Sequence, residues 1–307
     1  MNQYLTYMHL LTPLHTGGST NEGNLMGIAR EVHTEFPYLP ASSLRGKIRS
    51  TIESQDELKE MAGTFFGQKI KDGQQPTEGE VWFADATLLF FPIASLSHHL
   101  VWITCPLWLD RWSRWLSQEN RSTILPFSYR EALKSKSALT TFDTDKLYLQ
   151  TASLTQNAVG KVEKNALKAL SDCYKDLGLP NFILERLVII NDEDCVSLVE
   201  TGLQREVRIA IDDKSKTVKG GSFRSEEAIP PEAVLFFPWG VKAEYPFQEN
   251  IKLEISKLED ERLKHKQKLD NNVQVKTQLV NTLGNRLQFG GLEGLGRGWT
   301  NLSTTVV

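Results

Sequence analysis

VWFADATLLFF at residues 81–91, followed by LVWITC at 100–105, decides how this chain folds. Aromatic and β-branched residues crowd both runs, and apolar positions do not recur at helical spacing, so both read as strands. The first is interrupted by Ala84-Asp85-Ala86 and the second stops at Pro106. Upstream, residues 4–14 read as an opening strand. Residues 15–27, with Gly17, Gly18, Ser19, Thr20, Asn21, Gly23 and Asn24, read as a loop. Ser42 or Ser43 then caps a helix whose Leu44, Ile48 and Ile52 recur every four residues and face the sheet.

Downstream, residues 108–116 predict a short helix, and 157–177 carry Ala, Leu and Lys at helical spacing. Residues 182–190 suit either a strand or a buried helix. A hairpin follows at 207–211 and 216–219, turning at Asp212-Asp213-Lys214-Ser215. Segments 234–238 and 241–245 read as closing strands, and 252–269 as a charged helix. This order predicts an α+β fold with helices on one face of a sheet. A ferredoxin-like or RRM-like core satisfies it, although periodicity does not select that core over other α+β folds.

With 307 residues, 40% apolar and 24% charged, the chain buries a substantial core, and no Pro/Gly/Ser-rich linker divides it, so 1–307 reads as one domain. A net charge of −3 excludes a protein that coats nucleic acid indiscriminately, because such binding needs dense phosphate neutralisation. Any nucleic acid must meet local basic patches. Cys105, Cys173 and Cys195 lack metal-type spacing and read as reduced thiols. No apolar run reaches the roughly 18 residues of a membrane span, and no signal core opens the chain, which predicts a cytoplasmic protein without a membrane partner.

Three local patches could meet phosphate. Ser42, Ser43, Arg45, Lys47 and Arg49 surround a helix N-terminus, where amides and cations favour anions. The 205–224 hairpin sets Arg205, Arg208, Lys214, Lys216, Lys219 and Arg224 against Glu206, Asp212 and Asp213. Gly290, Gly291, Gly294, Gly296 and Gly298 would let backbone amides and Arg297 approach a phosphate. Each has an ordinary alternative: a solvated helix face, a surface hairpin and a tight turn. The glycine run lacks the Lys-Ser/Thr ending of a phosphate-binding Walker loop, which argues against a nucleotide-binding enzyme. Trp82, Phe83, Phe90 and Phe91 lie in apolar strands and read mainly as core rather than as base-stacking platforms.

Taken together, LTPLHTGG (11–18), FPYLPASSLRGKIR (36–49), VWFADATLLFFPIAS leading to VWITCP (81–106) and LQFGGLEGLGRGW (287–299) resemble, in content and order, the backbone family of type III-B CRISPR-Cas (Cmr) complexes, the fourth Cmr subunit. That family lies within the RAMP superfamily. REVRIAIDDKSKTVKGGSFRSEEAIPPEAVLFF (205–237) resembles its thumb. The resemblance implies an RRM-like core with an inserted thumb at about 195–230, lid-like helical insertions and the glycine-rich loop at 287–299. It also implies a subunit that repeats along CRISPR guide RNA, roughly one copy per six nucleotides, presents the guide to complementary target RNA, and joins other Cmr-type subunits in antiviral defence. The residues of the three patches would line the RNA backbone.

The resembled family slices target RNA with an aspartate in the loop after the first strand. Anchoring on Arg30-Glu31-Val32-His33-Thr34 places Leu25, or Asn24 with a one-residue shift, at that position. Neither supplies the charged oxygen ligand with which a carboxylate helps hold Mg²⁺ or Mn²⁺, so slicing is expected to be impaired or absent. Glu22 is the only carboxylate between His15 and Arg30. The alternative is an endoribonuclease using Glu22 or His15, with His33 as a partner for metal-independent acid–base chemistry. A further alternative is a repeat-RNA-processing endonuclease of the same superfamily. No resident metal site or cofactor is expected; Mg²⁺ or Mn²⁺ would matter only if cleavage is retained.

Overall fold

The computed structural model describes residues 3–242 and 276–307, apart from 19–20, 23–24, 57, 69–76, 118–119, 122–123, 125, 151, 156, 213 and 219–222. The expected 252–269 helix, Lys219 and Asn24 therefore lie outside the described residues. The first half runs β1 (Gln3–Leu10), β2 (Asn21–Glu22), β3 (Leu25–Met26), α1 (Ala41–Glu53), α2 (Ala62–Phe66), β4 (Val81–Phe83), β5 (Thr87–Ser95), β6 (His99–Thr104), α3 (Pro106–Ser113), α4 (Pro126–Leu133), β7 (Ala138–Thr140), β8 (Lys146–Leu149) and β9 (Ala152–Thr155). There follow β10 (Val159–Lys161), α5 (Lys164–Tyr174), α6 (Asn181–Glu185), β11 (Leu187–Ile190), α7 (Asp192–Gly202), β12 (Gln204–Arg208), β13 (Arg224–Ala228), β14 (Val234–Val241), β15 (Arg286–Gln288) and β16 (Trp299–Val306).

Ten strands form a mixed sheet in the order β10-β7-β11-β6-β5-β14-β1-β16-β15, with β4 also paired to β14. The Ala84-Asp85-Ala86 interruption separates two strands that share β14 as partner. It also caps α1. Pro40 stands at the N-cap without a side-chain bond, and the Asp85 carboxylate accepts from the Ala41 N–H at 2.7 Å. The cap expected from Ser42 or Ser43 thus comes from a residue distant in sequence. The apolar face of α1 is as expected, with Leu44, Ile48 and Ile52 fully buried.

Helices cover both faces of the sheet rather than one. Tyr4 and Met8 of β1 pack with α1, α2 and α7, whereas Leu5 and Tyr7 pack with α3, α5 and α6. The physical reason is β14, whose eight residues are all buried and therefore require apolar cover on both sides. Residues 234–241 form one central strand, and most of the second strand expected at 241–245 lies outside the described residues. The strand at the other flank of β1 is β16, which pairs with it antiparallel from Tyr4↔Val306 to Leu10↔Thr300. The 182–190 run, open between helix and strand, contains both: α6 and then β11.

A second sheet has the order β12-β13-β3-β2. The segment read as loop, 15–27, supplies two of its strands, and β3 runs parallel to β13 through Leu25↔Ser225 and Met26↔Glu226. Phe90 and Phe91 are fully buried, and Trp82 and Phe83 are partly buried against other rings, in keeping with a core role. All three cysteines are buried thiols outside any disulfide among the described residues. Among the described residues no helix is long and apolar enough to cross a membrane.

Candidate nucleic-acid interface

His15 marks the point where three distant segments meet. Its backbone carbonyl accepts from the Gly291 N–H at 2.8 Å, and its ring Nδ1 lies 2.8 Å from the Glu227 carbonyl oxygen. A carbonyl only accepts, so Nδ1 carries the proton, and a neutral His15 keeps Nε2 as its acceptor nitrogen. The loop after β1, the glycine-rich loop and the end of β13 are locked together here. Glycine is needed at 290 because φ is +80° and a Cβ would come within 2.3 Å of the His15 carbonyl oxygen.

From this junction ion pairs link the three sequence patches. Lys47 on α1 reaches Glu293 of the glycine-rich loop at 3.0 Å. Buried Arg297, at the end of that loop, pairs with Glu206 of β12. On the opposite face of β12, Arg205 contacts Glu227 at 3.1 Å and also pairs with Glu200 of α7. Both carboxylates are shared with Arg30, at 2.9 Å to Glu227 and 2.6 Å to Glu200. Arg208 Nε lies 2.9 Å from buried Glu226, but the N–H is not aimed at the oxygen and neither atom has a hydrogen bond, so that contact is coulombic.

Burial alone would raise Glu200 and Glu206, yet guanidiniums outweigh it: Arg30 and Arg205 hold Glu200, and Arg297 holds Glu206, below the usual carboxylate range. Arg30 and Arg205 are opposed by burial but raised by the same partners. A cleft of about 670 Å³ opens beside this cluster, lined by Leu25, Ile28, Arg30, Val196, Val199, Glu200, Arg205 and Glu227 among others. Leu25 therefore lines a charged cleft.

Other candidates are arranged differently. Arg45 donates to the carbonyls of Phe66 and Val81 at 2.6 and 3.1 Å and lies over the Phe66 ring, which makes it a brace between α1 and the sheet. Arg49 pairs with Glu53 on its own helix. Ser42 is exposed and Ser43 partly so. Gly294 and Gly296 are exposed within the turn, and Gly296 takes φ +76°. Lys216 is exposed at the hairpin tip, where Asp212 accepts from the Lys214 and Ser215 N–H groups.

Glu22 pairs through its backbone with Leu25. His33 is exposed on a turn, whereas His15 is buried, and no hydrogen bond joins the two among the described residues. Nor do the described residues contain a group of three or more His, Cys, Asp or Glu side chains that could hold a metal ion.

Sequence reasoning missed Glu200, Glu226 and Glu227 and used Arg30 only as an alignment anchor. Glu226 and Glu227 carried a signal: consecutive acids inside a strand leading to an apolar run require cationic partners once buried.

A family model described as the RAMP superfamily matches residues 7–301. The chain is 30% identical over 241 residues, 77% of its length, to the CRISPR system Cmr endoribonuclease Cmr4 of Pyrococcus furiosus, of which it covers 80%. In structure it resembles oligomeric Cmr4 from Pyrococcus furiosus with a TM-score of 0.66 and 22% identity, over 100% of this chain and 99% of that one. It also resembles a chain of the type III-B Cmr-beta complex bound to cognate target RNA, with a TM-score of 0.73 and 18% identity, over 98% and 96% of the two chains.

Proposed function

The chain belongs to the RAMP superfamily, within its Cmr4 family, and from that premise we propose that it is a guide-RNA-binding backbone subunit of a type III-B CRISPR effector complex. Copies of it assemble along the guide, beside other Cmr-type subunits, and present the guide to complementary RNA. The observation that carries this reading is the contact among the three sequence patches, Lys47 of α1 with Glu293 of the glycine-rich loop and Arg297 of that loop with Glu206 of β12. An RNA backbone crossing these segments would be recognised by shape and charge, leaving sequence to the guide. The 204–228 hairpin serves as the thumb of an RRM-like core, with the glycine-rich loop held against it through Arg297.

Sizing of the assembly on guides of increasing length tests this reading. Copy number should rise by roughly one per six nucleotides. A fixed monomer or dimer on every guide would instead favour the repeat-RNA-processing alternative.

Cleavage is tested separately, with labelled complementary RNA, Mg²⁺ or Mn²⁺ and the guide-loaded complex. With Leu25, or Asn24 with a one-residue shift, where the family's aspartate is expected, wild type should bind target without regularly spaced products, and Leu25→Asp should produce them. The second reading, slicing through His15, is favoured by one feature: its Nδ1–H is fixed by Glu227, which leaves Nε2 in the form a general base requires. Regular products from wild type that vanish in His15→Ala would replace the inactive-backbone reading; loss in Glu22→Ala instead would assign the role to Glu22.

A further inference from the structure

We infer that Arg30 and Arg205 form a fork for a single RNA phosphodiester, and that Glu200 is its built-in competitor, occupying the fork until RNA displaces it. The inference rests on the RNA-binding reading above and adds a ligand group and a control to it.

The two guanidiniums come from different elements, Arg30 from the segment after β3 and Arg205 from β12. Glu227, with 2% of its side chain exposed, contacts both and is their permanent counterion. Glu200 engages the same pair with one oxygen each, Oε2 to Arg30 at 2.6 Å and Oε1 to Arg205. Two acceptor oxygens bridging two guanidiniums is also how the non-bridging oxygens of a phosphodiester would sit. Glu200 is a replaceable anion: 44% of its side chain is exposed, it stands on the wall of an open cleft, and solvent screens its hold.

Charge counting points the same way. Two cations and the buried Glu227 leave one positive charge facing the cleft, and Glu200 cancels it. Glu35 lines the cleft as well, but its contribution to Arg30 is a backbone carbonyl at 3.3 Å. When Glu200 swings out, the fork carries the charge that one phosphate neutralises. The protein would thereby discriminate against weak, isolated anions and yield to a polyanion delivered by neighbouring contacts.

The test is Glu200→Gln, which keeps size and removes charge. Fluorescence anisotropy would follow labelled guide RNA on the chain alone, and labelled complementary RNA on the guide-loaded assembly, between about 50 and 300 mM salt. The proposal expects severalfold tighter binding in at least one arm, with the log–log salt slope steeper by about one, and that arm identifies the strand gripped. Adding Arg30→Gln and Arg205→Gln should abolish the gain. Glu200→Asp, whose shorter side chain keeps the charge but cannot span both guanidiniums, should give a smaller gain and guards against a misfolded Gln variant. Unchanged or weaker binding by both Glu200 variants, while wild type binds RNA, overturns the competitor. Failure of wild type to bind RNA in either arm overturns the underlying reading along with it.

Discussion

The two principal sheets are held together by different physics. In the ten-stranded sheet, β14 and nearly all of β1 are buried, and Trp239 stacks on Tyr4 at 4.4 Å while donating to Thr6 at 2.9 Å. In the β12-β13-β3-β2 sheet, Arg205, Arg208, Glu226 and Glu227 carry the contacts, and Val207 is exposed, as are Ile209, Ile211 and Val218 in the hairpin beyond it. The first arrangement is what hydrophobic burial makes stable alone; the second is stable only while charges are matched and leaves apolar surface for something else to cover. Stability therefore resides in the large sheet, and the proposed RNA contacts lie in the small one.

Trp239→Ala tests the first half of that comparison most severely. It removes a fully buried ring, its stack and a buried hydrogen bond, and should cost about 4 kcal/mol in urea unfolding. A loss under about 1 kcal/mol would mean that the large sheet is not the seat of stability.

Glu227→Gln tests the small sheet. It removes the buried anion between Arg30 and Arg205, and should cost about 2 kcal/mol, less than a fully buried pair because both arginines reach solvent. Full wild-type stability in Glu227→Gln would show that the charges are incidental.

The same contrast explains what the sequence disclosed. Leu44, Ile48 and Ile52, and the broken run around Asp85, were legible because burial imposes a period and a polar break interrupts it. The cover on both sheet faces was also written in the unbroken apolar run at 234–241, but the run was read as belonging to closing strands rather than to a central one. The β16 strand, WTNLSTTV, escaped because threonines dilute its alternation and only pairing with β1 makes it a strand. In the site, residue type revealed the cations, and a glycine run revealed the loop near His15. The carboxylates that engage those cations were not legible, since Glu200 and Glu227 become partners of Arg30 only after α7 and β13 have been placed by folding.

Acid should weaken the small sheet before the large one. Glu200 and Glu206 have folded values below their unfolded ones, so their contribution is present above the ordinary carboxylate range and is lost as pH falls through the folded values. Hydrogen-exchange protection at β12 and β13 should fall as pH drops below the ordinary carboxylate range, while β1 and β14 stay protected. Simultaneous loss in both sheets would merge the two regions into one cooperative unit.

The smallest stability effect belongs to the exposed apolar stripe. Val207 and Ile209 are 61% and 48% exposed, alternate with Arg208 and touch little, so a Val207→Thr/Ile209→Thr variant should unfold within about 0.5 kcal/mol of wild type. Threonine keeps the β-branched shape the strand favours while removing apolar surface. If the hairpin acts as the thumb that packs over a neighbouring copy's guide, this variant should bind guide RNA yet assemble with fewer copies on a long one, read by sizing. Unchanged copy number with unchanged stability would leave the stripe as solvated surface and would shift the burden of assembly to the ion-paired segments alone.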